Sequence, residues 1–89
     1  MNQAKFELFR VAYSVNYLKA VKANPDKYFS PKNETVEVAV SKAADRMLNG
    51  IATDPKMVNY AGDSFKLTCK ELGIKYTRKA IWEYLEITA

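Results

Sequence analysis

The residues best suited to bind a charged ligand lie in one short segment that follows the last glycine of the chain. The segment contains three cations, two aromatic residues and a threonine of N-cap type: Lys75, Tyr76, Thr77, Arg78, Lys79 and Trp82. Ammonium and guanidinium groups pair with phosphate or carboxylate, and a planar ring stacks on a nucleic-acid base or anchors a protein interface. A helix that starts here adds partial positive charge. The segment therefore predicts a binding surface for nucleic acid or for an acidic protein partner.

The charge of this segment also has a simpler interpretation, because charged residues often only solvate one face of a helix. Residues 65–79 contain five basic residues and one acid, in a chain whose formal net charge is +4. Trp82 falls off the apolar face that Ile81 and Leu85 form, which favours an exposed indole ring. Tyr76 fits an exposed or an inward position equally well. Whether these rings contact a partner therefore depends on the fold.

Residues with catalytic or metal-binding chemistry are scarce in this sequence. It contains no histidine, which is the commonest general base and metal ligand, and a single cysteine, Cys69. One cysteine without histidine does not make a zinc site. Cys69 lies on the apolar face of a predicted helix, which is typical of a small buried residue rather than a nucleophile. We therefore expect a protein that is not an enzyme and that has neither a metal nor another cofactor.

The binding segment forms the second half of a helix, turn and helix pattern over residues 63–85. Asp63 and Ser64 are N-cap types ahead of the first helix. The apolar residues of that helix recur at helical spacing: Phe65, Thr68, Cys69 and Leu72. Gly73 can adopt the left-handed conformation that ends a helix, and Thr77 is the N-cap candidate of the next one. The apolar face of the second helix consists of Ala80, Ile81, Tyr84 and Leu85.

The turn of this pattern resembles that of DNA-binding helix-turn-helix proteins. Leu72, Gly73 and Ile74 place a glycine between apolar residues, and Cys69 is the small residue four positions before that glycine. The resemblance covers about a quarter of the chain and implies a small DNA-binding regulator. A Leu-Gly-Ile turn also joins helices in ordinary helical domains, so a purely structural hairpin is the alternative.

The second helix departs from the helix-turn-helix pattern at Lys79. An apolar residue is usual five positions after Ile74, whereas the apolar residues here are Ala80 and Ile81, one or two positions later. Either the turn is longer or the second helix is rotated. The same stretch, KLTCKELGIKYTRKAIWEYL, resembles small prophage-encoded proteins of unknown role. That resemblance implies a phage-related protein, for which the alternative to DNA binding is an accessory or inhibitor protein that docks a host or phage partner.

A long first helix is predicted over residues 2–23, and Asn24 followed by Pro25 ends it. It carries two adjoining apolar stripes. One is aromatic, with Phe6, Phe9, Tyr13 and Tyr17, and the other is aliphatic, with Leu8, Val11, Ala12, Val15 and Leu18. A face this broad is typical of a central helix in a small bundle, or of a helix that also packs on a second subunit. The second alternative predicts a homodimer whose interface includes Phe6, Phe9 or Tyr13.

A second helix is predicted in the middle of the chain. Ser30 and Pro31 are typical of an N-cap and a first helical residue, and the helix that they begin closes at Gly50. The valines at positions 36, 38 and 40 alternate, which also fits a short strand, but no second alternating run exists to pair with it. We therefore expect a helix here.

Short connections complete the pattern. Tyr28 and Phe29 are expected to plug one end of the core. Asp54 and Pro55 are typical of the start of a short helix. Gly62 either separates that helix from the next one or lies inside one longer helix to Leu72. We favour the separation, because glycine costs about 1 kcal/mol in a helix interior relative to alanine.

The length predicts a single domain over residues 1–89, and the helical periodicities predict an all-α fold. We expect a compact bundle of four or five helices that ends in a hairpin resembling a helix-turn-helix. Hydrophobic residues make up 48% of the chain and charged residues 27%, which is typical of a globular protein. No apolar run approaches the length of a membrane span, and the N-terminus lacks the pattern of a secretion signal. The lone thiol fits a reducing compartment. We expect a cytoplasmic protein that does not enter a membrane.

Overall fold

The computed structural model describes residues 1–25 and 34–87. Within them the chain forms four α-helices and one 3-10 helix: α1 Gln3–Ala23, α2 Val36–Thr53, the 3-10 helix Pro55–Tyr60, α3 Gly62–Glu71 and α4 Arg78–Leu85. No strand occurs among these residues, so the predicted all-α class is confirmed. None of the described helices is long and apolar enough to cross a membrane. Helix α1 is central, since it contacts α2, α3 and α4.

Both predicted ends of α1 are confirmed. At its start, the side-chain oxygen of Asn2 accepts a hydrogen bond from the backbone amide of Lys5 at 3.1 Å. This is the N-cap arrangement that satisfies an amide without an intrahelical partner. At its end, Asn24 leaves the helical conformation directly before Pro25. Local signals at either end therefore fix the length of the central helix.

The two apolar stripes of α1 have different surroundings. Phe9 and Tyr13 are 0% and 2% exposed in the chain's own core, and Phe6 is half-buried against that core. The predicted homodimer interface is therefore wrong for Phe9 and Tyr13, because helices of the same chain cover them. At Phe6 it stays a prediction. The aliphatic stripe faces outward instead, with Leu8 and Val11 54% and 47% exposed.

Helix α2 begins at Val36, whereas the sequence predicted a start at Pro31. Thr35 is the N-cap, and its hydroxyl accepts a hydrogen bond from the amide of Val38 at 3.2 Å. The predicted cap Ser30 and the predicted first helical residue Pro31 lie outside the described part of the chain, as do Tyr28 and Phe29.

Gly50 does not end α2, contrary to the prediction, and the helix continues to Thr53. The 3-10 helix covers Gly50: a β-carbon at this position would lie 3.5 Å from the side chain of Met57, at ordinary contact distance. Tertiary packing thus offsets the low helix propensity of glycine. The short helix predicted from Asp54 and Pro55 is confirmed as the 3-10 helix. The Asp54 carboxylate accepts a hydrogen bond from the backbone amide of Lys56 at 3.0 Å.

Helix α3 begins at Gly62 itself. This glycine has a φ of 79°, in the left-handed region, and it separates α3 from the 3-10 helix as predicted. No side chain caps this helix, so the capping predicted for Asp63 or Ser64 is wrong. Asp63 lies instead in the first turn, where a carboxylate interacts favourably with the positive end of the helix dipole.

Helix α3 is held against α1 inside the core. The ring of Phe65 lies 4.8 Å from that of Phe9 and 5.2 Å from that of Tyr13, measured between centroids. Beside these rings, the side-chain amide of Asn16 donates a hydrogen bond to the hydroxyl of Thr68 at 2.9 Å. The Thr68 hydroxyl donates in turn to the backbone carbonyl of Ser64, one turn earlier in α3. The buried polar pair is therefore satisfied and fixes how α3 sits along α1.

Candidate binding surface at the start of helix α4

The turn after α3 directs the chain toward the predicted binding segment. Gly73 has a φ of 71°, and its amide donates to the carbonyl of Lys70 at 3.2 Å. The amide of Ile74 donates to the carbonyl of Cys69 at 2.8 Å. These two bonds form the Schellman ending that the Leu-Gly-Ile sequence predicts, and they satisfy carbonyls that a helix end would otherwise leave unpaired.

The connection between α3 and α4 is longer than the three or four residues of a typical helix-turn-helix. It comprises residues 72–77, and α4 begins at Arg78. The hydroxyl of Thr77 accepts a bond from the amide of Ala80 at 3.1 Å, which confirms the predicted N-cap. Helix α4 packs chiefly against the 3-10 helix and α1. Of the two alternatives, a longer turn or a rotated helix, the chain has the longer turn.

Tyr76 points into the protein. Its phenol donates a hydrogen bond to the carbonyl of Val58 at 2.6 Å, and its ring lies 6.1 Å from that of Phe65 in an edge-on arrangement. Burial raises the pKa of the Tyr76 phenol. On its outer side, the ammonium of Lys66 lies 5.4 Å from the ring centroid. Tyr76 therefore anchors the connection, with its hydroxyl bonded to the scaffold.

Trp82 is half-buried, so the exposed indole that the sequence favoured is wrong. The indole N–H donates to the carbonyl of Ile51 at 3.0 Å. Ile51 lies in the last turn of α2, where carbonyls lack partners within the helix. The ring thus closes the end of α2 and holds α4 in place.

The cations of the segment, unlike its rings, face solvent. Lys75, Arg78 and Lys79 are exposed, and so are Lys66 and Lys70 on α3. We call these five residues the basic surface. Lys66 adjoins the connection because it lies over the Tyr76 ring, a position that sequence spacing alone gave no reason to expect. Two of the six predicted site residues are thus anchors, one is a cap, and three contribute accessible charge.

The basic surface has few ion pairs with the described part of the chain. Its sole carboxylate partner there is Glu83, which lies 3.9 Å from Lys79, and the Lys79 side chain is 88% exposed. Such a pair contributes little to stability. Lys19, Arg46 and Lys56 likewise have no ion pair with a described residue, but they lie on three different elements. Three cations of the basic surface, Lys75, Arg78 and Lys79, lie within five consecutive residues at the start of α4.

Cations on α1 and α2 are mostly paired with carboxylates of the same chain. Lys22 lies 3.2 Å from Glu37, which links α1 to α2. Further pairs join Arg10 to Glu7 and to Asp45, Lys5 to Glu86, and Lys42 to Glu34. Charge in this part of the molecule is therefore largely neutralised within the fold.

The far end of α4 is tied to the start of α1. The backbone amide of Asn2 donates to the carbonyl of Leu85 at 2.8 Å, and its side-chain amide donates to the carboxylate of Glu86 at 2.9 Å. Lys5 lies 3.6 Å from the same carboxylate. The hydrogen bond from Asn2, followed by the charge of Lys5, lowers the pKa of Glu86. These contacts, with Trp82, keep α4 fixed while its first turn faces solvent.

A groove runs along the outer side of α4. It has a volume of about 520 Å³ and we call it the α4 groove. Its lining combines apolar side chains with charges of both signs: Pro55, Arg78, Lys79, Trp82, Glu83, Glu86 and Ile87. The sequence did not predict it, because Pro55 and Ile87 are brought beside α4 only by packing of the 3-10 helix and of the chain after α4. The closest available signal was the position of Trp82 off the apolar face.

Cys69 is buried, as predicted, at 1% exposure. Burial raises the pKa of its thiol to about 11, so the thiolate that would act as a nucleophile is scarce at neutral pH. Among residues 1–25 and 34–87, no group of three or more histidine, cysteine, aspartate or glutamate side chains is placed to hold a metal ion.

Comparison of the chain with known protein families, with curated proteins and with solved structures yields no match, so its function has to be inferred from its own geometry.

Proposed function

We propose that this chain is a binding module rather than an enzyme, and that it acts as a small DNA-binding regulator through the basic surface. The observation that supports this most directly is the set of five exposed cations with a single long ion pair, 3.9 Å from Lys79 to Glu83, among the described residues. Cations without carboxylate partners are available to contact phosphates and to release the counterions condensed on DNA.

The start of α4 strengthens the attraction for phosphate. The first-turn amides of a helix point outward and carry partial positive charge, and Thr77 satisfies the amide of Ala80 among them. Arg78 and Lys79 extend from the same turn and are exposed. A phosphate placed here meets both backbone amides and charged side chains.

The geometry favours contacts with the DNA backbone over reading of base edges. Tyr76 and Trp82 are half-buried and hydrogen-bonded to the scaffold, which restricts how their rings could stack on a base. Glu83 is 67% exposed one turn after Lys79, and its carboxylate would repel a second row of phosphates along α4. We therefore expect weak sequence preference, with Arg78 as the residue best placed to contact a guanine edge.

Salt dependence of DNA binding tests this proposal. Binding of wild-type protein to a random-sequence duplex would be followed by fluorescence anisotropy over a range of salt concentrations. Changing Lys75, Arg78 and Lys79 together to alanine should weaken binding and reduce the log–log salt slope by roughly one for each phosphate that the variant no longer neutralises. If Arg78 reads a base edge, the single change Arg78→Ala should weaken the free energy of DNA binding by about 1 to 3 kcal/mol and relax specificity at one base position.

A charge-matched control separates local binding from the effect of net charge. Changing Lys19, Lys22 and Lys42 to alanine removes the same charge from α1 and α2 and should leave most of the slope intact. Wild-type protein without measurable DNA affinity at low salt would reject the proposal, and equal weakening in both triple variants would show that net charge alone attracts the duplex.

The α4 groove favours a second candidate, docking of an acidic protein segment, as in a phage-type accessory or inhibitor protein. The groove is lined by the apolar side chains of Pro55, Trp82 and Ile87. Its charged lining residues are the cations Arg78 and Lys79 and the carboxylates Glu83 and Glu86. An apolar lining beside cations fits an amphipathic segment with carboxylates, since aromatic and apolar contacts contribute most of the energy of protein interfaces. A DNA backbone would gain nothing from that apolar lining.

Fluorescence of the single tryptophan distinguishes the two candidates, because Trp82 lines the groove. A synthetic acidic amphipathic peptide that occupies the groove should shift the Trp82 emission, and much of its binding should persist at high salt. DNA bound through the cations at the start of α4 should instead dissociate as salt rises. A peptide series that leaves Trp82 unperturbed would remove the second candidate.

A further inference from the structure

The outer side of α1 carries a stripe of apolar side chains that the described part of the chain leaves open to solvent. Leu8, Val11 and Val15 are 54%, 47% and 48% exposed, and we call these three residues the α1 stripe. Met1 is 47% exposed one heptad before Leu8, and the half-buried Leu18 continues the stripe toward the end of the helix. Most exposed large apolar residues of the described chain thus lie on or next to one helix.

The spacing of the stripe is that of a helix–helix seam. From Leu8 the steps are three, four and three residues, through Val11 and Val15 to Leu18, and such alternating steps keep apolar side chains along one line facing a partner helix. The core-facing rings of Phe9 and Tyr13 lie on the other side of α1. With 21 residues, α1 is about 30 Å long, which gives room for several layers of such contacts.

The charges beside the stripe are already matched within the chain. Arg10 pairs with Glu7 and Asp45, and Lys22 pairs with Glu37. Together with the pair between Lys5 and Glu86, these groups leave Lys19 as the single unmatched cation of α1 within the described residues. A strongly charged partner finds little to recognise here, whereas an identical, nearly neutral face can approach without strong repulsion.

We propose that the α1 stripe is a self-association surface, in which two copies of this chain pair along α1 about a two-fold axis. In such an interface the same patch meets itself, so it must be apolar and close to neutral, as this one is. The basic surface, with its concentration of like charge, would repel a second copy of itself and is unsuited to this role. The inference does not rest on DNA binding.

The exposed area of the stripe indicates a weak dimer. Half-exposed leucine and valine side chains contribute on the order of a few hundred Å² per copy, below the roughly 800 Å² per partner of a standard interface. We therefore expect a dissociation constant on the order of tens to hundreds of micromolar.

Sedimentation equilibrium over a wide concentration range tests the proposal. The wild-type mass should rise from that of a monomer toward that of a dimer as concentration approaches about 1 mM. Val11→Glu and Val15→Glu each place a carboxylate in the seam and should hold the protein at monomer mass. Val38→Glu is the matched control, because Val38 is 44% exposed on α2, and it should dimerise like the wild type.

Circular dichroism of each variant shows whether the helices are intact, and they should be, since all three valines are exposed and their replacement removes little core packing. A wild-type protein that stays monomeric throughout the concentration range would overturn the proposal. So would a dimer that resists both Val11→Glu and Val15→Glu, or one that Val38→Glu disrupts as strongly as they do.

Discussion

The face formed by α1 and α2 and the basic surface carry their charges in opposite ways. On α1 and α2, Lys22 lies 3.2 Å from Glu37, and Arg10 contacts both Glu7 and Asp45. On the basic surface the one pair within the described residues is 3.9 Å long and highly exposed. Solvent reaches both regions, so exposure does not explain the difference. Charges that are paired within the chain link its helices to one another. Charges without such a pair remain available to bind a ligand of opposite charge.

A second contrast lies within the binding segment itself. Tyr76 and Trp82 donate hydrogen bonds to carbonyls of Val58 and Ile51, so they belong to the scaffold. Arg78 and Lys75 are exposed and make no side-chain hydrogen bond or ion pair with a described residue, so they belong to the surface. The segment thus combines rigid anchors with available charges, and the two kinds of residue should respond differently to substitution.

The largest expected loss of stability comes from a substitution in the core that supports both regions. Phe65→Ala removes a fully buried ring that contacts Phe9, Tyr13 and Tyr76, and it should lower the free energy of unfolding by about 3 to 5 kcal/mol. Urea denaturation measures this directly. Leu67→Ala, on the same helix but 47% exposed, should cost less than about 1 kcal/mol. A small effect of Phe65→Ala would mean that the ring cluster is not the core.

An intermediate effect sharpens the contrast between anchors and exposed cations. Tyr76→Phe removes only the hydroxyl that bonds to Val58 and should cost about 0.5 to 1.5 kcal/mol. Arg78→Ala removes an exposed side chain without an ion pair among the described residues and should change stability by less than about 0.5 kcal/mol. Thermal and urea unfolding of the two variants compare these values. If Arg78→Ala were the more destabilising change, Arg78 would be part of the scaffold.

The smallest expected effect is on the stability of the fold at acidic pH. Asn2 and Lys5 lower the pKa of Glu86 below its ordinary value of 4.5, so the carboxylate stabilises the fold at higher pH. This contribution is present above pH 4.5 and is lost as the pH falls through the lowered pKa of the folded state. Unfolding measured at several pH values should show Asn2→Ala flattening the decline in stability below pH 4.5. Lys75→Ala should show the same pH dependence of the free energy of unfolding as the wild type. An equal change of that pH dependence in both variants would contradict the role of the Asn2 contact.

The parts of the fold that could be predicted from sequence are those fixed by nearby residues. Pro25 ends α1, Gly73 reverses the chain after α3, and Thr77 caps α4. Each depends on backbone geometry within a few positions, which residue type largely determines. The start of α2 shows where this fails, because Ser30 and Thr35 are both of N-cap type and residue type alone does not choose between them, whereas the described helix begins at Val36 with Thr35 as its cap.

The orientation of the rings could not be predicted locally. Trp82 turns inward because the end of α2 presents an unpaired carbonyl at Ile51, a residue distant in sequence. For the same reason, sequence periodicity identified two stripes on α1 but could not tell that the one with Phe9 faces the core and the one with Val11 faces outward. Helical spacing assigns residues to faces, and only packing of the other helices decides which face is covered.

The most direct test of the contrast between the two regions is a nuclear magnetic resonance titration of ¹⁵N-labelled protein with a short random-sequence duplex at low salt. The proposed function predicts the largest chemical-shift changes at backbone amides 75–80 and at Lys66 and Lys70, with α1 amides near Val11 nearly unchanged. Changes concentrated on α1 and α2, or no changes at all, would contradict it.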